Sequence, residues 1–124
     1  LCIFALMKDA IEAFKAIGEA TRFRALRLLI DSKVELCACE IIDALQKPQY
    51  TISKSLGALV AAGLIVERRE GRMMMYELAH SKLNDSLFAA VTSVPLAKNE
   101  ELSADHDRIL ARLAEREGNV CIKC

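Results

Sequence analysis

Tryptophan is missing from this chain of 124 residues, proline occurs twice, glycine five times, and aromatic side chains make up 5%. A β-sandwich or barrel built from many turn-separated aromatic strands is thereby disfavoured, and the recurrent Ala and Leu favour helices packed along aliphatic seams. No apolar run approaches the roughly 20 residues that span a bilayer. The opening segment LCIFAL has neither a basic n-region nor a cleavage site. These absences predict a cytoplasmic protein with no membrane partner. Net charge is absent as well, with 17 basic and 17 acidic side chains, so no overall basic field announces nucleic acid and any such surface must come from local segregation. No Ser/His/Asp pattern, Walker loop or dinucleotide fingerprint supports catalysis, and an enzyme is not expected.

Segregation of charge is present. Residues 15–33 carry Lys15, Arg22, Arg24, Arg27 and Lys33 against Glu19 and Asp31. Residues 99–118 invert this, with Arg108, Arg112 and Arg116 against Glu100, Glu101, Asp105, Asp107, Glu115 and Glu117. Five cysteines stand as one C-x-C, one C-x-x-C and one single residue. In a reducing compartment such an odd set reads better as metal ligands than as disulfides.

The length suits one packed domain. From Met7, the apolar Ala10, Ile11, Phe14 and Ile17 recur at helical spacing until Gly18. A second helix is predicted over about 19–30, with Phe23, Leu26 and Ile30 inward and Arg24 and Arg27 outward. Val34, Glu35 and Leu36 suit a short strand, residues 37–45 a brief helix, and Gln46-Lys47-Pro48 a turn. Pro48 suits the first position of the next helix, where its missing N–H costs nothing, and Gly63 follows that helix. A short helix, a tight turn and a second helix make the helix-turn-helix pattern. LIVERR, a turn at Glu70-Gly71 and RMMMYEL then read as a β-hairpin. Leu83, Leu87, Val91 and Val94 continue at helical spacing to Pro95, and residues 99–117 give a last, more polar helix.

On the helix after Pro48, Leu56 and Leu59 lie within about 40° of Ile52 on a wheel of 100° per residue. The opposite face has no large aliphatic group. It offers Gln49, Tyr50, Thr51, Ser53, Lys54 and Ser55, side chains able to bond base edges and phosphates. Gly57 lowers the helix propensity by about 1 kcal/mol relative to Ala, a cost more easily explained by a close partner than by folding. Arg68, Arg69 and Arg72 crowd the hairpin tip, where a phosphate or minor-groove contact is expected.

Four blocks in this order resemble the ArsR/SmtB family of metal-responsive repressors over roughly residues 7–95. They are FKAIGEATRFRALRLL (14–29), ELCACEI (35–41), PQYTISKSLGALVAAGLI (48–65) and ERREGRMMMYEL (67–78). The resemblance implies a homodimeric winged helix-turn-helix, mainly α with a small β-hairpin wing. It places Gln49, Thr51, Ser53, Lys54 and Ser55 toward the major groove of double-stranded operator DNA. Members commonly have His where this chain has Ser55. Met73, Met74 and Met75 replace frequent aromatics, and strand alternation makes them core fillers rather than soft-metal donors.

Glu35-Leu36-Cys37-Ala38-Cys39 resembles the family's thiol motif for arsenite, cadmium or lead, whose fuller form has a third cysteine where this chain has Ile42. Thiolates are soft donors that retain thiophilic ions against water and carboxylates. A third sulfur must then come from Cys121 or Cys124 of the terminal C-x-x-C, or from Cys2. In an intact helix Cys37 and Cys39 would point 200° apart, so a centre holding both sulfurs opposes helix there. His80 and His106 read as surface or capping residues.

The expectation is a winged-helix DNA-binding and dimerisation domain over 1–98 and a C-terminal helix with a cysteine-containing tail over 99–124. The first and the C-terminal helices would form the dimer interface. The protein would act as a repressor released from its operator by arsenite, antimonite, cadmium or lead at Cys37, Cys39, Cys121 and Cys124. A repressor of the same fold responding to thiol oxidation or persulfide, and less favourably a small thiol metal carrier, are the alternatives.

Overall fold

The computed structural model of the chain describes residues 3–118 and residue 121, with side chains from residue 6 onward. Cys2 and Cys124 lie outside the described residues. The elements are α1 (Ile3–Ile17), α2 (Ala20–Ser32), β1 (Leu36–Cys37), α3 (Ala38–Leu45), α4 (Gln49–Ala61), β2 (Ile65–Glu70), β3 (Met73–Leu78), α5 (Lys82–Thr92) and α6 (Glu100–Ala114), with a 3-10 turn at Leu96–Lys98. This is a mostly helical winged helix-turn-helix, in the expected order. None of the described helices is long and apolar enough to cross a membrane.

Local chemistry sets the boundaries. Glu19 caps α2, its carboxylate accepting from the Thr21 and Arg22 amides at 2.9 and 3.0 Å. The Arg22 side chain reaches back to the Ala16 and Lys15 carbonyls at the end of α1, at 2.6 and 3.3 Å, satisfying acceptors that the helix itself leaves open. Pro48 is the N-cap of α4 with extended ψ, one position earlier than expected. Between α3 and α4 the chain turns at Gln46, which takes the left-handed conformation at φ 56°.

The strands form one antiparallel sheet in the order β1-β3-β2. The loop between β2 and β3 is Gly71-Arg72, closed by the Glu70–Met73 pair. Gly71 has φ 61°, the conformation the first position of a type II′ hairpin turn requires. Leu36 pairs with Tyr76 and Cys37 with Met75. The strand that carries the first cysteine is therefore part of the wing sheet.

Leu26, Leu29, Ile41, Leu45, Ile52, Leu56, Leu59, Leu64 and Ile109 are buried with at most 2% of their surface exposed. Ile109 brings α6 into the same core as the helix-turn-helix. On α1 the inward residues are Ala13 and Ala16, whereas Leu6, Met7, Ile11 and Phe14 are exposed. The apolar face expected at Ile11 and Phe14 thus finds no cover among the described residues.

Two expectations about charge are corrected. Arg24 and Arg27, expected outward, are buried. Arg24 donates from Nε and Nη2 to the two carboxylate oxygens of buried Asp105 at 2.9 Å each, and from Nη2 to the Leu45 carbonyl. Arg27 pairs with Asp31 and donates to the Val91 and Val94 carbonyls. Part of the basic cluster of residues 15–33 and part of the acidic cluster of 99–118 therefore neutralise each other inside the protein instead of forming a DNA surface. A helical wheel misplaces these arginines because it counts them as solvent-seeking, while a guanidinium with its donors filled can be buried.

Breaking the Arg24–Asp105 pair from one side leaves a buried unpaired charge, a loss of about 3–5 kcal/mol. Arg24→Ala should lower unfolding stability by that order in denaturant titrations, and the Arg24→Met/Asp105→Leu double variant should lose markedly less.

Candidate thiol centre and nucleic-acid interface

Cys37 ends β1 and is also the N-cap of α3, with φ −85° and ψ 160°. It lies outside the helix, and Cys39 within its first turn. The premise that both occupy an intact helix does not apply, because the chain changes from strand to helix between them.

The Cys37 and Cys121 sulfurs, 84 residues apart in sequence, lie 2.7 Å from one another, both side chains buried. Met75 completes this small cluster, and Cys39 and Met73 pack against it. The structure thus brings together Cys37, Cys39 and Cys121 of the sequence-predicted set. Cys39 is disulfide-bonded, which differs from the expectation that the cysteines stand as thiols. Ile42, at the position of the resembled motif's third cysteine, is half-buried and lines a cleft beside these residues.

Glu40 is the acidic group at this centre and is wholly buried. Its Oε1 accepts from the Cys37 amide at 3.0 Å, and Arg116 Nε donates to Oε2 at 2.6 Å. Burial alone would raise its pKa. The bonds from Arg116 and the Cys37 amide outweigh burial and hold the carboxyl below the usual carboxylate range. Burial and the adjoining Cys121 sulfur push the Cys37 thiol the other way, to about 12. Cys37, Glu40 and Cys121 are the one group of potential metal donors found among the described residues, their ligand atoms within 4.8 Å of one another.

A cleft of about 600 Å³ opens from Cys37, Cys39 and Ile42 to Gln49 and Ser53 of α4 and to Arg72 and Tyr76 of the wing. On α4, Gln49, Tyr50, Ser53, Lys54 and Gly57 are exposed, Tyr50 by 77%. Thr51 is half-buried, and Ser55, expected on the outer face, is instead buried, standing three residues and so only about 60° from Ile52; both border a groove shared with Glu19 and Arg22 of the α2 start. Beyond Gly57 the space is open where a Cβ would stand. Arg69 and Arg72 are exposed at the wing. Arg68 is engaged, donating to both Glu35 carboxylate oxygens at 3.1 and 2.7 Å and lying 3.4 Å from Glu70. His80 is exposed and meets Asp85 at 2.8 Å, while His106 is half-buried.

Sequence reasoning missed Glu40 and Arg116. Glu40, three residues after Cys37, has the spacing of a capping box, a signal that was there to use. Arg116 has none, since its partner lies 76 residues away.

Residues 19–66 match the sequence model described as "Bacterial regulatory protein, arsR family". The chain is 39% identical to the arsenic resistance transcriptional regulator ArsR1 of Pseudomonas putida over 83% of its own length and 78% of the relative's. The chain belongs to the ArsR family. It is also 41% identical to an HTH-type transcriptional regulator of Methanocaldococcus jannaschii, covering 63% of this chain and 86% of that one. Among solved structures, the homodimeric winged helix-turn-helix DNA-binding domain of a possible ArsR-family regulator from Mycobacterium bovis superposes with a TM-score of 0.63 and 32% identity, over 73% of this chain and 81% of that one. This ArsR-family chain is accordingly a transcriptional regulator with a winged helix-turn-helix domain of the DNA-binding kind.

A thiol titrating near 12 stays protonated at neutral pH, and only the thiolate attacks an alkylating agent. In reduced protein, Cys37 should react with iodoacetamide much more slowly than an unfolded-chain cysteine at pH 8. Its rate should still be climbing above pH 10, where the unfolded control has levelled off, as read by peptide mass spectrometry.

Proposed function

We propose that this ArsR-family chain is a homodimeric repressor whose hold on double-stranded operator DNA is released by arsenite or another thiophilic ion, including antimonite, cadmium and lead. The ligand binds through Cys37, Cys39 and the C-terminal thiols Cys121 and Cys124. The observation that carries this reading is the 2.7 Å approach of the Cys37 and Cys121 sulfurs from distant parts of the chain. Sulfur donors suit soft ions, and a buried pair with Cys39 beside it is the chemistry such an inducer needs. The Pseudomonas putida relative is named for arsenic resistance, which favours arsenite within this class.

DNA is read by Gln49, Tyr50, Ser53 and Lys54 of α4, with half-buried Thr51 beside them, and by Arg69 and Arg72 on the wing; Ser55 is buried and Arg68 is engaged by Glu35. The exposed Leu6, Met7, Ile11 and Phe14 of α1 and Leu110 of α6 supply an apolar face for a second copy, presenting two recognition helices to a two-fold operator. The thiol centre has two routes to this surface. Through α3 it reaches the turn that seats α4. Through β1 it reaches the wing, since Cys37, Met75 and Arg68 occupy one row across the three strands.

A second reading keeps the repressor and replaces the ion by oxidation. The disulfide at Cys39 favours it, because the same sulfurs then respond to an oxidant. Operator affinity of reduced protein, titrated separately with arsenite, cadmium and peroxide, tells the two apart. Release at stoichiometric arsenite is expected, and release by peroxide alone assigns the site to oxidation.

Proton balance separates the candidate ions. Arsenous acid condenses with two neutral thiols, As(OH)3 + 2 RSH giving (RS)2AsOH + 2 H2O, with no proton released. A divalent ion gives M(SR)2 and two H+, so its apparent affinity rises by up to about 100-fold per pH unit below the thiol pKa. Arsenite affinity should be flat between pH 6 and 8 and cadmium affinity should climb steeply, as measured by calorimetry. For DNA, Lys54→Ala and Arg72→Ala should each weaken operator binding by about 1–2 kcal/mol and reduce the salt slope by about 1. Parent-like binding at matched salt would remove these residues from the interface.

A further inference from the structure

The two sulfurs at the centre arrive on separate pieces of chain, and their side chains alone do not explain why Cys121 returns to Cys37. A single buried carboxylate does. Glu40 Oε1 accepts from the Cys37 amide at 3.0 Å, which ties it to the residue bearing the first sulfur. Arg116 donates from Nε to Oε2 at 2.6 Å and from Nη2 to Oε1, and Nη2 also donates to the Glu35 carbonyl at 2.8 Å. Arg116 stands two residues past the end of α6 and five before Cys121. The guanidinium thus closes the strand that leads into Cys37 and the segment that leads to Cys121 onto one group.

We propose that Glu40 and Arg116 are the positioning pair of the inducer site: they set the separation of the Cys37 and Cys121 sulfurs, and thereby the affinity for a thiophilic ligand, without touching that ligand. The inference rests on the reading of Cys37 and Cys121 as ligands.

Glu40 lies close enough to both sulfurs to serve as an oxygen donor. Both its oxygens are already engaged in a charge-assisted, two-pronged bond with Arg116, the strongest kind of side-chain hydrogen bond. Turning one toward an ion would leave a buried guanidinium with part of its bonding lost. Glu40 therefore holds the frame, and the ligand takes sulfur. The pair is also separable from the rest of the α6 docking. Asp105, Ile109 and the Arg108 bond to the Ala44 carbonyl at 2.6 Å lie upstream and do not involve it. Loss of Arg116 should free the segment after α6 while the helix stays in place. Two thiols joined only by a flexible segment have effective concentrations in the millimolar range, and a held pair exceeds that.

The test uses full-length reduced protein and the variants Arg116→Gln, Arg116→Lys, Cys121→Ser and Arg116→Gln/Cys121→Ser. The effective concentration of the thiol pair is read from its equilibrium with oxidised glutathione, in which two thiols and one glutathione disulfide give one protein disulfide and two reduced glutathiones. That measurement is made with Cys2, Cys39 and Cys124 replaced by Ser. Arg116→Gln should leave operator affinity without arsenite within about twofold of the parent. It should lower the effective concentration by about tenfold or more. The arsenite concentration for half-release should rise comparably, and Arg116→Gln should cause no further rise once Cys121→Ser is present. Arg116→Lys, which keeps the charge but not the fork, should fall between and serves if the Gln variant does not fold. Unchanged glutathione equilibrium and arsenite response, or effects that simply add to those of Cys121→Ser, would overturn the proposal. If Cys121→Ser itself responds to arsenite like the parent, the ligand assignment fails instead, and the glutathione equilibrium still judges the positioning role.

Discussion

Burying a carboxylate without compensation costs several kcal/mol, and Glu40 has no exposed surface at all. It is tolerable only because Arg116 and the Cys37 amide close on it. That compensation couples three things that the chain keeps apart. The start of α3 is held in its capped form, β1 is held against the end of α6, and the segment bearing Cys121 is turned back onto Cys37. On the positioning proposal, the small sulfur cluster depends on this ion pair.

The same principle recurs along α6 at larger scale. Arg24 from α2 meets Asp105, Arg112 meets Asp43 at 2.7 Å, and Arg108 donates to the Ala44 carbonyl. Each contact joins α6 to α2 or α3, so the last helix acts as a splint along the support of the recognition helix. Its opposite side offers Leu110 to solvent, as α1 offers Ile11 and Phe14. One element thus faces the sulfur cluster, the shared core and the proposed partner copy. A disturbance at the sulfurs has short mechanical routes to α4 and to the wing.

Arg68 illustrates how a sheet shares its residues between tasks. It belongs to the basic hairpin tip by sequence, yet its guanidinium is held by Glu35, the residue just before β1. An exposed pair of this kind contributes little to stability. The pair ties β2 to the residue that leads into β1, and Arg69 and Arg72 are exposed at the wing alongside Arg68.

The sequence alone was enough for the order of elements, the helix-turn-helix, the hairpin and, apart from the buried Ser55, the exposed face of α4. These rest on local rules: 3.6-residue periodicity in α4, a turn glycine at position 71, and proline ahead of a helix. The C-x-C at Cys37 and Cys39 was likewise visible as a soft-donor pair, and residue 121 as a candidate to complete it. What remained hidden was decided by contacts between residues 76 to 84 positions apart. Arg24 reads as a surface cation because nothing near it in sequence marks its buried partner Asp105, and nothing near Arg116 marks Glu40. Only packing α6 against α2 and α3 brings each charge to its partner, and burial then makes the pairing obligatory. Whether an arginine faces water or anchors a helix is settled by that distant partner, so the tertiary structure decided it.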